Sequence, residues 1–276
     1  MRSSASRRSG WPRTSRIAIH QATEAGCVRS DNQDTIGSWP LDDGIVFAVA
    51  DGLGGVAGGK LASELALESL ERGLDESPAR WPIAKRLRRA IQDANLRIFN
   101  KGLAVPELRG LGTTITATAI VGSTLVSAHV GDCRLFLLRE GELRQLTRDH
   151  SWVADQVQIG LLTVEQARLH PRRHLLTRSL GRELIVPIDV VTTEVRSGDV
   201  LLQCSDGVHA FLPRREIGAV LREHPAEASC SALIERALDA GGDDNLSAQV
   251  VVVSGDAPAA PPSERGSWWP FRRSRS

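Results

Sequence analysis

Tyrosine is absent from this 276-residue chain, methionine occurs once, and lysine occurs three times against 31 arginines. The arginine excess reads as a GC-rich bacterial genome, which bears on codons and not on function. Cysteine is scarce. Cys27, Cys133, Cys204 and Cys230 show no C-x-x-C spacing, and three of them lie in or beside apolar runs, as expected for buried free thiols in a reducing compartment. No stretch approaches the ~20 consecutive apolar residues of a membrane span, and the start carries no apolar signal-peptide core. A soluble, cytoplasmic protein is the expectation. The D-x-D-x-D-G spacing of a calcium loop is also missing, which makes a structural calcium protein remote.

Charge is nearly balanced at +1 but unevenly placed. Residues 1–16 carry five Arg and no acid, and residues 257–276 carry four Arg against Glu264. Without those +5 and +3 the remainder is at about −7, an acidic body that disfavours nucleic acid as a partner. The length and the spread of apolar runs suit one large domain, expected over residues 17–255. A basic tail precedes it at residues 1–16. After it, residues 256–276 form a Pro-rich linker and a Trp/Arg tail, in which Trp268, Trp269 and Phe271 are candidate docking residues for a partner.

The chain turns from burial to chemistry at residues 45–59, I-V-F-A-V-A-D-G-L-G-G-V-A-G-G. Residues 45–50 form a short apolar run of the kind found in a strand covered on both faces. Asp51 stands where that strand should end. A buried carboxylate is costly unless a cation or donor meets it, and the following glycines allow close backbone approach. A tight Asx turn is the plain alternative. Three further apolar runs have the same neighbour: Gly131-Asp132, Ser205-Asp206-Gly207, and Asp243-Asp244-Asn245. If these strand ends lie together, Asp51, Asp132, Asp206 and Asp244 converge, and their repulsion calls for roughly two divalent cations. An all-oxygen set suits Mg²⁺ or Mn²⁺ rather than Zn²⁺.

Taken in order, residues 17–23 alternate as a first strand, and residues 24–34 form a polar connection. In it, Arg29 is either a counter-ion to the acidic site or a fork for a phosphate, and Asp34 either caps a turn or extends the site's outer shell. Residues 60–74 and 83–99 carry apolar residues at helical spacing, separated by a linker with two prolines. Residues 112–121 and 124–130 read as a hairpin about Gly122-Ser123, and residues 135–138 and 143–146 as a second about Glu140-Gly141. Residues 149–181 lack a sustained apolar stripe. His150, His170 and His174 there fit no zinc spacing, so a mobile surface flap is expected, with a capping box at Thr163 and Gln166. Strands at 188–195, 200–204 and 246–253 and helices at 214–222 and 226–240 complete the pattern.

These residues carry a family resemblance. Arg29-Ser30-Asp31-Asn32-Gln33-Asp34 resembles the R-x-x-N-E/Q-D motif of the metal-dependent PPM (type 2C) Ser/Thr protein phosphatases, and Asp51-Gly52-Leu53-Gly54-Gly55 resembles their D-G-x-G-G. Gly112-Thr113-Thr114, Val130-Gly131-Asp132-Cys133-Arg134, Ser205-Asp206-Gly207 and Asp243-Asp244-Asn245-Leu246-Ser247 resemble later motifs in the same order. The match spans about residues 17–253, and the ordered set is specific where each motif alone is weak.

The resemblance implies an α+β fold, a four-layer α/β/β/α sandwich of two antiparallel sheets with helices on both sides. It implies two Mn²⁺ or Mg²⁺ ions. Asp51 bridges them, Gly52 gives its carbonyl to one, and Asp206 and Asp244 hold the other. Asp34 acts through water, Asp132 with Asp206 marks a possible third ion, and Arg29 grips the substrate phosphate. Asp51, Asp206 and Arg29 are then the catalytic set, and residues 149–181 form the flap over the cleft. The implied activity is hydrolysis of phosphoserine and phosphothreonine in proteins by a metal-activated water, without a phosphoenzyme, opposing a bacterial Ser/Thr kinase.

Three positions depart from the family pattern. Leu53 and Val56 stand where some members have histidine, and Gln33 replaces the commoner Glu. The leaving oxygen must then be protonated by another group. The alternative is a phosphatase-like binding module that recognises phosphorylated partners with little turnover.

Overall fold

The computed structural model describes residues 16–53 and 58–255. The readings of a basic tail, of Gly54, Gly55 and Val56, and of the tail with Trp268, Trp269 and Phe271 fall outside the described residues, apart from Arg16.

The chain begins with β1 (Arg16–Glu24), β2 (Thr35–Leu41), β3 (Gly44–Ala50) and the short β4 (Gly52–Leu53). Two helices follow, α1 (Gly58–Glu76) and α2 (Ile83–Ala104), and then β5 (Gly112–Thr113), β6 (Ile115–Val121), β7 (Thr124–Val130), β8 (Arg134–Arg139) and β9 (Glu142–Gln145). The short helices α3 (Trp152–Gln158) and α4 (Val164–Leu169) lead to β10 (Asp189–Glu194) and β11 (Val200–Cys204). Helices α5 (Asp206–His209), α6 (Arg214–Glu223) and α7 (Ala226–Asp239) precede β12 (Leu246–Ser254).

Antiparallel pairing gives one sheet in the order β1-β12-β11-β8-β9, a second in the order β10-β7-β6-β3-β2, and a small β4-β5 pair. The period-2 alternation of each strand sorts its apolar side chains between two layers. In β3, Val46, Ala48 and Ala50 pack with the buried faces of α1 and α2, while Phe47 turns into the space between the sheets. In β8, Phe136 and Leu138 join α6 and α7, while Leu135 and Leu137 face Phe47, Ile120 and Val251. Three apolar layers between four structural ones define the expected α/β/β/α sandwich. Phe47 is fully buried at its middle, where truncation to Ala costs about 3–5 kcal/mol.

The middle layer is not wholly apolar. Gln21, Gln249 and Gln203 stand in register on β1, β12 and β11. Gln203 donates to Gln249 Oε1 at 3.1 Å, and Gln249 donates to Gln21 Oε1 at 2.9 Å. The row reaches the second sheet where Thr118 donates to Gln203 Oε1 at 2.6 Å, Gln203 to the Thr116 carbonyl at 3.1 Å, and Gln249 to the Gly37 carbonyl at 3.0 Å. Gln203 and Gln249 are fully buried, and such amides are tolerated because each finds partners.

Strand β2 and the placement of His150 differ from the sequence reading. Strand β2 was not expected, because Gly37 and Pro40 interrupt its pattern; it lies at a sheet edge, where proline is tolerated. His150 is buried rather than on a surface flap. Its Nδ1 accepts from the Gly131 N–H at 3.1 Å, its main-chain N–H donates to the Gly131 carbonyl at 2.7 Å, and its Nε2 lies 3.2 Å from Asp189 Oδ2. Surface exposure in that segment belongs to α3, α4 and their connections, where Ile159, Leu161, Val164 and Leu169 are exposed.

Candidate active site

The implied ligands come from both sheets at one end of the sandwich. Asp51 follows β3 directly and is clamped by its main chain: its N–H donates to Thr114 Oγ1 at 3.0 Å, and its carbonyl accepts from the Thr114 N–H at 2.8 Å and from Thr113 Oγ1 at 2.7 Å. This gives the Gly112-Thr113-Thr114 motif a positioning role that the spacing alone did not reveal. At Gly52 a Cβ would lie 2.1 Å from the Gly59 carbonyl oxygen and 2.8 Å from that of Gln33. Only glycine lets those backbones meet.

Asp34 is held on the neighbouring connection. Its N–H donates to Asn32 Oδ1 at 3.0 Å, its Oδ2 accepts from Ser205 Oγ at 2.7 Å, and its carbonyl accepts from Lys60 Nζ at 3.1 Å. Asp206 opens α5 beside Gly207, where a Cβ would lie 2.0 Å from the Asn245 carbonyl oxygen. Asn245 ties the connection to β12: it accepts from the Gln33 N–H at 2.8 Å and donates to the carbonyls of Ala25 and Asp31 at 2.9 and 3.0 Å. The sequence reading quoted Asn245 without a role, and its signal was its place in the D-D-N-L-S motif.

Arg29 and Asp244 meet as an ion pair, with Nε 3.0 Å from Oδ1 and Nη2 3.0 Å from Oδ2. His174 Nδ1 lies 3.8 Å from Asp206 Oδ2. Among the described residues, no three His, Cys, Asp or Glu side chains already form a ligand set for one ion. Asp244 thus has a cationic neighbour, Asp206 has an imidazole beside it, and a third implied ligand is the Gly52 carbonyl.

The electrostatics of the cluster disfavour the side-by-side charges of its carboxylates. Burial pushes Asp34 up to about 7, against hydrogen bonds from Ser247 and Ser205, with the charges of Asp206 and Asp244 adding to the rise. Burial also lifts Asp51 well above the usual carboxylate range, and Asp206, Asp34, Asp132 and Asp244 each raise it further. Asp132 is lifted by burial and then by Asp206 and Asp149. Burial raises Asp206 as well, but His174 and its other neighbours outweigh it, and the carboxyl sits below its ordinary value. Among the described residues, Asp34 Oδ1 and Asp132 Oδ1 are buried with no hydrogen-bond partner. Orphaned carboxylate oxygens amid mutually repelling acids fit divalent cations with oxygen ligands.

A two-sheet sandwich with helices outside and carboxylates gathered from strand ends of both sheets is the architecture of a metal-dependent phosphatase. The family model for protein phosphatase 2C matches residues 28–253, and the chain belongs to that family. Serine/threonine protein phosphatase PstP of Mycobacterium tuberculosis is 36% identical over 231 residues, which are 84% of this chain and 44% of that protein. The chain therefore spans less than half the length of that relative. Serine/threonine phosphatase stp of Listeria monocytogenes is 35% identical over 234 residues, covering 83% of this chain and 93% of that one. A crystal structure of the PstP catalytic domain in complex with two manganese ions superposes with a TM-score of 0.78 at 34% identity, covering 87% of this chain and 100% of that chain.

Proposed function

We propose that this chain hydrolyses phosphoserine and phosphothreonine in proteins in a metal-dependent reaction, opposing a Ser/Thr kinase in the cytoplasm. The observation that carries the reading is the cluster of buried Asp34 and Asp132 with half-buried Asp51, all raised in pKa, in which two carboxylate oxygens have no partners among the described residues.

Asp51 and the Gly52 carbonyl are the ligands proposed for one Mn²⁺ or Mg²⁺ ion, with Asp51, Asp206 and Asp244 for the second. Asp132 and Asp206 are suited to a third, and Asp34 to the outer shell. When bound, such ions supply Lewis acidity for water activation and charge for the phosphoryl oxygens. The Thr113-Thr114 clamp fixes the Asp51 backbone so that its carboxylate is pre-aimed. Arg29 sits at the exposed edge of the cluster, and its planar fork matches the phosphate of the substrate. Within residues 149–181, α3, α4 and the connection reaching His174 border the cluster and are the proposed flap.

The test is phosphate release from a phosphothreonine peptide with Mn²⁺ and with EDTA, alongside Asp51→Asn. Release that needs the metal and disappears in the variant is expected. No release while Mn²⁺ still binds would instead leave a phosphoprotein-binding module.

A further inference from the structure

Asp132 is buried just beyond β7, and its Oδ1 has no partner among the described residues. The cation two residues on does not serve it: Arg134 is turned to Asp149, with Nε 3.0 Å from Oδ1 and Nη2 2.7 Å from Oδ2. The side chain of Asp132 is left for a ligand, while its main chain is held firmly.

Two buried imidazoles do the holding. On the Gly131 side, His150 Nδ1 accepts from the Gly131 N–H at 3.1 Å, and the His150 main-chain N–H donates to the Gly131 carbonyl at 2.7 Å. On the other side, His209 Nε2 lies 2.9 Å from the Asp132 carbonyl oxygen. A carbonyl can only accept, so His209 is the donor and its Nε2 bears a hydrogen. Three consecutive peptide groups are thereby bonded, around a Gly131 whose φ of +113° is itself unusual. His209 also closes the four-residue helix that Asp206 opens. At a spacing of three, the two share one face of α5. A single turn of helix thus carries one carboxylate and grips the backbone of the other.

We propose that His209 is a positioning residue for the third cation: its bond to the Asp132 carbonyl ties that turn to α5 and sets the spacing of the Asp132 and Asp206 carboxylates. An ion with only two protein carboxylates keeps most of its waters and binds more weakly than ions that share Asp51, so it depends most on that spacing. This inference rests on the reading of Asp132 and Asp206 as ligands, and it names the side chain that holds them in register.

The test titrates the EDTA-stripped full chain with Mn²⁺ and counts free Mn²⁺ by electron paramagnetic resonance. Asp132→Asn identifies the phase that belongs to the third ion. His209→Gln keeps an amide N–H at the reach of Nε2, whereas His209→Asn stops short of it. His209→Asn is expected to weaken the third ion about ten-fold or more, the scale of a lost outer partner of a metal ligand, with the tighter phases unchanged. His209→Gln should restore the third phase to near the parent. A third phase lost in Asp132→Asn but intact in His209→Asn would overturn the role, as would equal losses in the Asn and Gln variants. Should His209→Asn bind no Mn²⁺ at all, the Gln variant decides: a parent-like third phase supports the donor, and its selective loss refutes it. A parent without a third phase, or one that survives Asp132→Asn, ends the third-ion reading and this role together. None of these readouts needs turnover, so absence of phosphate release counts against the phosphatase reading separately.

Discussion

Arg29 and Asp244, 215 residues apart in the chain, face each other through two contacts of 3.0 Å, Nε to Oδ1 and Nη2 to Oδ2. Hydrogen bonding and the charge of Asp244 raise the guanidinium pKa further. The proposed roles of the two residues compete in this arrangement, since a fork closed on Asp244 is not open to a phosphate. Both side chains are partly exposed, 55% and 31%, and exposed pairs contribute no more than about 1 kcal/mol. The pair is therefore a latch weak enough for a dianionic substrate to open.

Arg29→Ala should raise KM for a phosphothreonine peptide by about ten-fold or more, the scale of a charge-assisted fork, with a smaller fall in kcat. Its thermal midpoint should stay close to that of the parent. Steady-state kinetics decide this, and an unchanged KM removes Arg29 from the phosphate site.

Asp206→Asn should lower turnover by about a hundred-fold or more through the loss of a ligand charge. Mn²⁺ affinity by titration calorimetry should fall with it. Near-normal turnover would rule out the assignment of Asp206.

The pH dependence of metal-free stability has a definite sign. Asp34 has its pKa raised to about 7, so its contribution is full below about pH 4 and is lost as pH rises through 7. His129 and His209 act in the opposite sense. Burial lowers both to about 4, so the stability they hold is full above about pH 6.5 and is lost as pH falls toward 4. Asp34→Asn removes only the first effect. In EDTA, the gain in urea midpoint of Asp34→Asn over the parent should grow from pH 5 to pH 8; a gain that shrinks over that range contradicts the buried, raised carboxyl.

Gly131→Ala should destabilise the fold by about 2 kcal/mol or more. Gly131 has φ +113°, and a Cβ there would lie 2.4 Å from Thr114 Cβ. Thr114 holds the Asp51 backbone, so activity should fall together with the urea midpoint. Parent-like values of both would show that the turn yields without cost.

Much of this was legible from local pattern. The apolar run ending at Asp51 is β3, and the capping box of Thr163 and Gln166 is present, with Thr163 N–H to Gln166 Oε1 at 2.8 Å. Strand β2 escaped because Gly37 leaves room for the Trp39 ring and Pro40 marks an edge, and neither reads as strand without knowing the sheet order. The four-residue α5 was too short to show a period. His150 could not be placed because what buries it, Gly131 and Asp189, lies elsewhere in the chain. The Arg29–Asp244 contact is hidden for the same reason: each residue was singled out, but their pairing is a product of the tertiary fold.

The glutamine row between the sheets has a mechanical consequence. Apolar faces glide over one another at little cost, whereas directional bonds from Gln203 to Thr116 and from Gln249 to Gly37 break when one sheet slides. Asp51 and Asp132 are carried by strands of one sheet, Asp206 and Asp244 by strands of the other. The amide row keys the two halves together like a dowel, so the span between the two pairs of aspartates proposed as metal ligands is set by the scaffold itself.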